Sequence, residues 1–375
     1  MIYLDSAATS LQKPASVSQK MVKAMRSMAS PGRGGHKAAM AAAEAAYSCR
    51  EAAAQLFHVP SPEQVVFTFN ATHGLNLAIY DLVSGGERVV VSGYEHNSVI
   101  RPLHQMGAQI QVVRSPLFDA EAMIDGFAKA LPNVKVAVCT AMSNVYGFRT
   151  PLGEIAELCR KHGVPLIVDA SQLAGCGSID FSALHAAYIA MPGHKGLLGP
   201  QGTGLLLCKN VPKPLLSGGT GSESKRYTMP DILPDGAEAG THNIPGIAGL
   251  EAGIRYVCDV GVSRIEQHER RLLDCFVQRI SSEDGMETFY SSKASLQGGV
   301  LSIRHDKMDC EELAGMLGHY GSAVRGGMHC APCAHETGGT YDSGTVRFSF
   351  SPFNTNGEVE WAARILKHCL KNEKT

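Results

Sequence analysis

Residues 191–204 read MPGHKGLLGPQGTG, a segment with one lysine, Lys195, set behind His194 and ahead of a glycine-rich turn. The apolar run AAYIAM (186–191) leads into it and TGLLLC (203–208) leads out, so the lysine falls in a tight turn between two strands. One strand earlier, PLIVDASQ (165–172) is a further apolar run that ends on Asp169. Runs that are apolar throughout, not alternating, are strands buried on both faces of a helix-covered sheet. Four more such strands lie upstream, at 64–69, 88–92, 109–113 and 134–140, with helices at 37–57, from the NATHGLNLAI segment, at 98–106, 119–130 and 153–162. Strands and helices alternating at this spacing predict an α/β fold whose mostly parallel, seven-stranded sheet lies between helices.

The flanks complete the organisation. Residues 15–30 read as a helix stopped at Pro31, and 214–240, rich in Gly, Pro and Ser, as a long loop. Two helices at 246–258 and 261–280 lead into QGGVLSIRH, a helix at 309–318, TVRFSFS and a helix at 357–370, the pattern of a smaller α+β unit. The expected division is a large domain over 15–255 and a small one formed by 1–14 with 256–375. A net charge of −1 argues against a nucleic-acid or anionic-membrane partner. No apolar run is long enough to span a bilayer. MIYLDSAATS has neither the basic nor the greasy region of a signal peptide, so the expected location is the cytoplasm. The 11 cysteines are odd in number and several sit inside apolar runs, the pattern of small buried hydrophobes and not of a disulfide framework.

Candidate chemistry clusters at strand ends. Asn70-Ala71-Thr72-His73-Gly74 lies between a strand and a helix, where N–H groups and a hydroxyl can cradle a phosphate; Thr72 acting as a plain N-cap is the alternative. His96 follows strand 88–92 and Asn144 follows strand 134–140; each also reads as an ordinary loop residue. Asp169 and Gln172 follow the next strand, and His194-Lys195 the one after. In a doubly wound sheet these ends line one edge. A lysine amine able to form a Schiff base, with a carboxylate placed to keep a ring nitrogen protonated, suits pyridoxal phosphate. One cofactor touching the whole set explains it better than a series of accidents.

These motifs resemble those of class V pyridoxal-phosphate enzymes of the aminotransferase fold, in particular the cysteine desulfurase and selenocysteine lyase branch with a short catalytic loop. The resemblance runs from YLDSAATS and SPGRGGH (30–36) through VDASQ (168–172) and GHK (193–195). It continues through GTHNIPGIAGLEAGI (240–254), RGGMHCAP (325–332) and VRFSFSPFNT (346–355). It implies fold type I and a homodimer. It implies that Lys195 is the Schiff-base lysine and proton shuttle, that Asp169 pairs the pyridine nitrogen, that His96 stacks on the ring and that Gln172 bonds the phenolic oxygen. Ala71, Thr72, Ser171 and His194 are the implied phosphate-side contacts, with Thr241 reaching across from a second subunit. Asn144 and Arg347 are implied to hold the substrate carboxylate, Arg347 as a bidentate fork, with Arg325 and Ala7 nearby. Two departures stand out. Pro192 replaces the Ser that often precedes Gly-His-Lys, with Ser171 a possible substitute, and Gly32 replaces a common His of the early loop.

HCAPCAH (329–335) is open to several readings. By motif position Cys330 is the nucleophile that takes sulfur as a persulfide, and thiolate character would rise beside cations, for which Arg325 and His329 are close in sequence. His329, Cys330, Cys333 and His335 are also ligand types, but one C-x-x-C without a second pair is a poor zinc signature, so no metal is expected. Cys333 is either a resolving thiol or a packing residue. The resemblance thus implies conversion of L-cysteine to L-alanine, with sulfur passed from Cys330 to an acceptor protein or small thiol. Selenocysteine lysis, another class V C–S lysis or epimerisation, and a catalytically silent relay partner are the competing functions.

Overall fold

The computed structural model describes residues 1–31 and 34–371 of the 375. Gly32, the departure noted in the early loop, lies outside the described residues.

The main sheet has seven strands, in the order Val65–Thr68, Gly204–Cys208, Tyr188–Pro192, Leu166–Asp169, Val136–Thr140, Arg88–Ser92, Gln109–Val113. Gly204–Cys208 runs antiparallel to both neighbours and all other pairings are parallel, so six strands end on one edge. That edge carries Thr68, Ser92, Thr140, Asp169 and Pro192, and Thr140 pairs in register with Asp169. The expectation of two-sided burial fails at Gln109–Val113, where exposed glutamines alternate with half-buried Ile110 and Val112. It is the edge strand, and alternation marks a strand with one wet side.

Helix Lys37–Phe57 spans its expected range: its run of alanines carries little side-chain entropy cost, and His36 caps it. Helix Ala71–Leu82 is capped by Asn70, whose side-chain oxygen accepts from the His73 N–H at 2.9 Å. Thr72 is therefore not the cap, and its hydroxyl meets Ser98 Oγ at 2.7 Å instead. Residues 214–240 form neither helix nor strand. Helices Ile244–Val260 and Val262–Ile280 meet at Gly261, whose φ of 90° lets the chain turn between them.

A second sheet is antiparallel, in the order Arg325–Gly327, Thr345–Ser349, Val300–His305, Met286–Phe289. Its register sets Arg325 opposite Arg347. The N-terminus joins it: Ile2–Tyr3 pairs with Ser322–Ala323, and Asp5 bridges to Ser349. A separate apolar cluster gathers Ile2 and Leu4 with Leu272, Phe276, Phe348 and Leu366, so both ends of the chain build one core. Among the described residues no helix is long and apolar enough to cross a membrane.

Candidate active site

The strand ends of the main sheet surround a cavity of about 210 Å³ lined by Thr72, His96, Asn144, Asp169, Gln172, His194 and Lys195, with Ala71, Ser98, Ser171 and Pro192 among the remaining walls. Chain positions spread over more than a hundred residues meet here because parallel strands deliver their C-terminal ends to one edge.

The lysine turn is held from both sides. The Gly193 N–H donates to the Thr203 carbonyl at 2.8 Å and the Leu198 N–H to the Lys195 carbonyl at 2.9 Å. A Cβ on Gly196 would lie 2.4 Å from the Ala174 carbonyl oxygen, so the residue after the lysine must be glycine for the turn to seat. The Thr9 and Ser10 hydroxyls donate to the His194 carbonyl at 3.2 and 2.9 Å, and Thr9 Oγ1 also meets His194 Nδ1 at 3.0 Å. Burial, with Lys195 and Lys13 adding to it, brings His194 down to about 4, so it is neutral at physiological pH. Burial also lowers Lys195 to about 8; Arg347 and Arg325 act the same way, while Asp169 and Asp5 oppose. A lysine so placed has a sizeable neutral fraction near neutral pH, as an amine nucleophile requires.

Asp169 is buried, and its Oδ1 accepts from the Ser171 N–H at 2.9 Å. His96 Nδ1 accepts from the Ser98 N–H at 3.1 Å and lies 2.9 Å from Ser98 Oγ, which in turn meets Thr72 Oγ1 at 2.7 Å. His96 thus caps helix Asn97–Gln105, which fixes its ring at the cavity wall. Burial lowers its pKa, with Asp169 opposing.

The chain matches the aminotransferase class V family over residues 2–361. It belongs to that family. It is 32% identical to a probable cysteine desulfurase of Methanothermobacter thermautotrophicus, over 98% of this chain and 94% of the relative. It is also 32% identical to one of Xylella fastidiosa, over 98% of this chain and 90% of the relative. Among solved structures it resembles the apo cysteine desulfurase of Thermococcus onnurineus, with TM-score 0.90 and 28% identity over 99% of this chain and 95% of the other. A cysteine desulfurase of Escherichia coli matches with TM-score 0.86 and 26% identity, with the same coverage.

In this class V chain the carboxylate-clamp candidates lie at the seam between the main sheet and the smaller antiparallel one. Arg347 is buried; its Nη1 donates to the Asn144 carbonyl at 3.0 Å and its Nη2 to Asp5 Oδ1 at 2.8 Å, while Nε is buried without a partner. Asn144 Nδ2 donates to the His329 carbonyl at 2.8 Å, so that amide ties the cavity wall to the cysteine segment. Gln172 Nε2 is likewise engaged, donating to the Ala7 carbonyl at 3.0 Å. Ala7 itself lines a smaller neighbouring cavity, of about 40 Å³, that also reaches Lys195. Thr241 is exposed and is not part of the wall of the 210 Å³ cavity.

Cys330 is exposed, and it and His329 take left-handed backbone angles, with φ of 57° and 49°. Its two neighbours in sequence both have partners. Burial, reinforced by Arg347, holds His329 well below the usual histidine range, and its Nε2 bonds the Thr345 carbonyl and hydroxyl at 3.1 Å each. Arg325 pairs with Asp5 at 3.1 Å. Cys333 is buried, and burial pushes its thiol up to about 11. Among the described residues no three His, Cys, Asp or Glu side chains group to hold a metal.

Sequence reasoning missed Ser98, Asp5, and the Thr9–Ser10 clasp on His194. Ser98 carried a readable signal, a hydroxyl in the first turn of a helix behind a strand-end histidine. Asp5 carried none, because its partners are more than 300 positions away and only the strand register brings them together.

Proposed function

We propose that this chain is a pyridoxal-phosphate-dependent cysteine desulfurase that releases L-alanine from L-cysteine and carries the sulfur on Cys330. One observation carries the reading. A pKa-lowered Lys195, a buried Asp169, the His96 ring and the Thr72–Ser98 hydroxyl pair line one cavity, and the exposed Cys330 follows a residue bonded to its wall. The donor set suits the cofactor. Ala71, Thr72 and Ser98 lie at helix starts, with hydroxyls and N–H groups fit for a phosphate, joined by His194 and Ser171. Asp169 is an anion for a ring nitrogen, His96 a flat face for the ring, Gln172 an amide for the phenolic oxygen and Lys195 an amine for the aldehyde. When bound, the cofactor supplies an electron sink that makes the substrate's Cα proton acidic and its sulfur electrophilic.

The chain's own residues do the rest. Lys195, neutral in part at physiological pH, takes and returns the proton at Cα. Arg347 and Asn144 anchor the carboxylate end with Arg325 beside them, and Ala7 shapes the floor next to Gln172. The Cys330 thiolate attacks the sulfur, which leaves the substrate carbon as a persulfide on the protein and is then handed to an acceptor protein or small thiol. We read the active species as a cytoplasmic homodimer in which exposed Thr241 reaches the phosphate of the other subunit. Residues 15–255 form the large unit in this reading; the shared apolar cluster of residues 2–4 with 272–369 supports grouping the two chain ends as the small one.

The test is direct. With added pyridoxal phosphate the protein should absorb near about 420 nm, as an imine-bound cofactor does. It should make alanine and sulfide from L-cysteine plus a reductant, with Cys330→Ala inactive on cysteine. A protein that stays colourless is instead a silent relay partner. Selenocysteine lysis is the second reading, favoured by one observation: Cys330 is exposed and is not part of the wall of the 210 Å³ cavity, and selenide, the better leaving group, needs that thiol less.

A further inference from the structure

The turn that carries Cys330 has a backbone shape that its own residues do not favour. His329 and Cys330 take φ of 49° and 57°, left-handed angles that persist at residues with a side chain only where the surroundings over-determine them. The Cys330 side chain is exposed and supplies none of that constraint. His329 supplies it from carbonyl, ring edge and ring face. Its carbonyl accepts from Asn144 Nδ2 at 2.8 Å, and Asn144 lines the 210 Å³ cavity. Its Nε2 meets both the carbonyl and the hydroxyl of Thr345, a fully buried strand residue, at 3.1 Å each. A carbonyl can only accept, so Nε2 carries the ring hydrogen and donates. The ring also stacks on His335, with centroids 5.7 Å and planes 30° apart. His335 is fully buried in turn, its Nδ1 2.6 Å from Thr340 Oγ1, which meets Tyr146 Oη at 2.5 Å, so the layer under the His329 ring is itself fixed. On the other side of the thiol the Asn97 N–H donates to the Cys330 carbonyl at 2.9 Å, and Asn97 lies between His96 and Ser98, both in the cavity wall.

We propose that His329 is a positioning residue for the Cys330 thiol: by donating from Nε2 to Thr345 it fixes the turn that holds the thiol beside the cavity wall. His329 is not part of that wall, and its Nδ1 is buried without a partner, so the imidazole makes no hydrogen bond to the thiol and acts on it by placement. Burial, with Arg347 and His335 adding to it, keeps the ring neutral at physiological pH, which leaves Nδ1 bare. Placement is costly to lose, because attack needs the thiol and the substrate sulfur close and aligned. Steps at Cα, which belong to Lys195, do not depend on it. The proposal deepens the reading above, in which Cys330 takes the sulfur, and rests on it.

The experiment uses the cofactor-loaded protein and compares two amides at position 329. In His329→Gln the amide nitrogen reaches the place of Nε2 and keeps the bond to Thr345; in His329→Asn, one methylene shorter, it reaches only the place of Nδ1. His329→Asn should lower kcat for L-cysteine by about tenfold or more, with KM within about threefold, and leave kcat for L-selenocysteine within about threefold. His329→Gln should bring L-cysteine turnover back to within about threefold of wild type. A merely structural role moves both substrates together and does not distinguish the amides. Should His329→Asn not fold, Thr345→Val takes its place: it removes one of the two acceptors, and should lower kcat for L-cysteine about threefold with no change on L-selenocysteine. Equal loss on the two substrates, equal behaviour of the two amides, or an unchanged L-cysteine kcat in the variant that folds overturns the positioning proposal alone. A Cys330→Ala protein with full turnover of L-cysteine overturns it together with the function it rests on.

Discussion

The lysine side and the cysteine side of this site are built on opposite terms. Lys195, Asp169 and His96 stand at strand ends of a buried sheet, each fixed by backbone contacts, Asp169 buried and the other two half-buried. Cys330 is exposed, on a turn with two successive left-handed residues, and is tied to the wall through the Asn144 bond at 2.8 Å and the Asn97 N–H bond to its own carbonyl at 2.9 Å. The contrast suits the chemistry proposed for each side. Proton transfer at carbon needs a desolvated amine of tuned pKa. Sulfur transfer needs a thiol that can reach both a buried substrate and an outside acceptor, and left-handed backbone, which costs about 1 kcal/mol or more at each such residue, persists here because the buried His329 and Ala331 on either side of the thiol hold the turn.

Lys195→Ala should have the largest effect and bears on both sides at once. Alanine production should fall by about a thousandfold or more, because no other amine lines the cavity to take the proton. Retention of more than a few per cent of activity would break the assignment of the buried side.

Cys330→Ser separates the sides. Turnover of L-cysteine should drop about a hundredfold. Cofactor absorbance should be unchanged, and release of selenide from L-selenocysteine should stay within about threefold. Cys333→Ser, three residues on, should leave turnover within about twofold, because its thiol is packed and pushed up to about 11 by burial. Equal loss in both serine variants would show that the two thiols act as a pair.

The tuning of Lys195 is accessible without turnover. In cofactor-free protein, the rate at which an acylating reagent modifies this amine should rise with a midpoint near pH 8, well below an ordinary lysine, because burial disfavours its charged form. Asp169 opposes that shift, so Asp169→Asn should move the midpoint lower still. A midpoint that rises instead would mean the carboxylate does not face the amine.

How much of this was readable beforehand divides along the same line. The seven strands of the main sheet and their helices announce themselves through local pattern, and the lysine turn through its glycines, so Lys195, Asp169, His96 and Thr72 could be placed on one edge before any coordinates. The cysteine side was legible only as a motif. Short strands such as Arg325–Gly327 and Met286–Phe289 have too few residues for a period to show, and helix Pro332–Gly338 is a single short stretch that HCAPCAH does not advertise. Arg325 and His329 both precede Cys330 in the chain, and the fold pairs the first with Asp5 and bonds the second to Thr345. Polar pairing across sheets is a tertiary fact, and Asp5 with Arg347, like Asn144 with His329, has no local signature.

The smallest effect expected concerns the ground beneath the lysine side. Glu269, on helix Val262–Ile280, lines the small cavity with Lys195 and Cys176, is 7% exposed, and burial alone pushes its carboxyl up to about 8. An unfolded chain releases that proton near 4.5, whereas the folded protein keeps it to about pH 8. Between those values the unfolded state binds fewer protons, so stability falls as pH rises; below them the difference vanishes. Glu269→Gln keeps the shape and cannot ionise. It should match wild type in melting temperature near pH 4, gain on it progressively toward pH 8, and lead at pH 9 by a few degrees, on the order of 2–4 kcal/mol at most. A constant offset at every pH would mean that water already reaches this carboxyl. The small cavity it shares with Lys195 would then be wet, and the contrast between a half-buried amine and an exposed thiol would have to rest on the sheet edge alone.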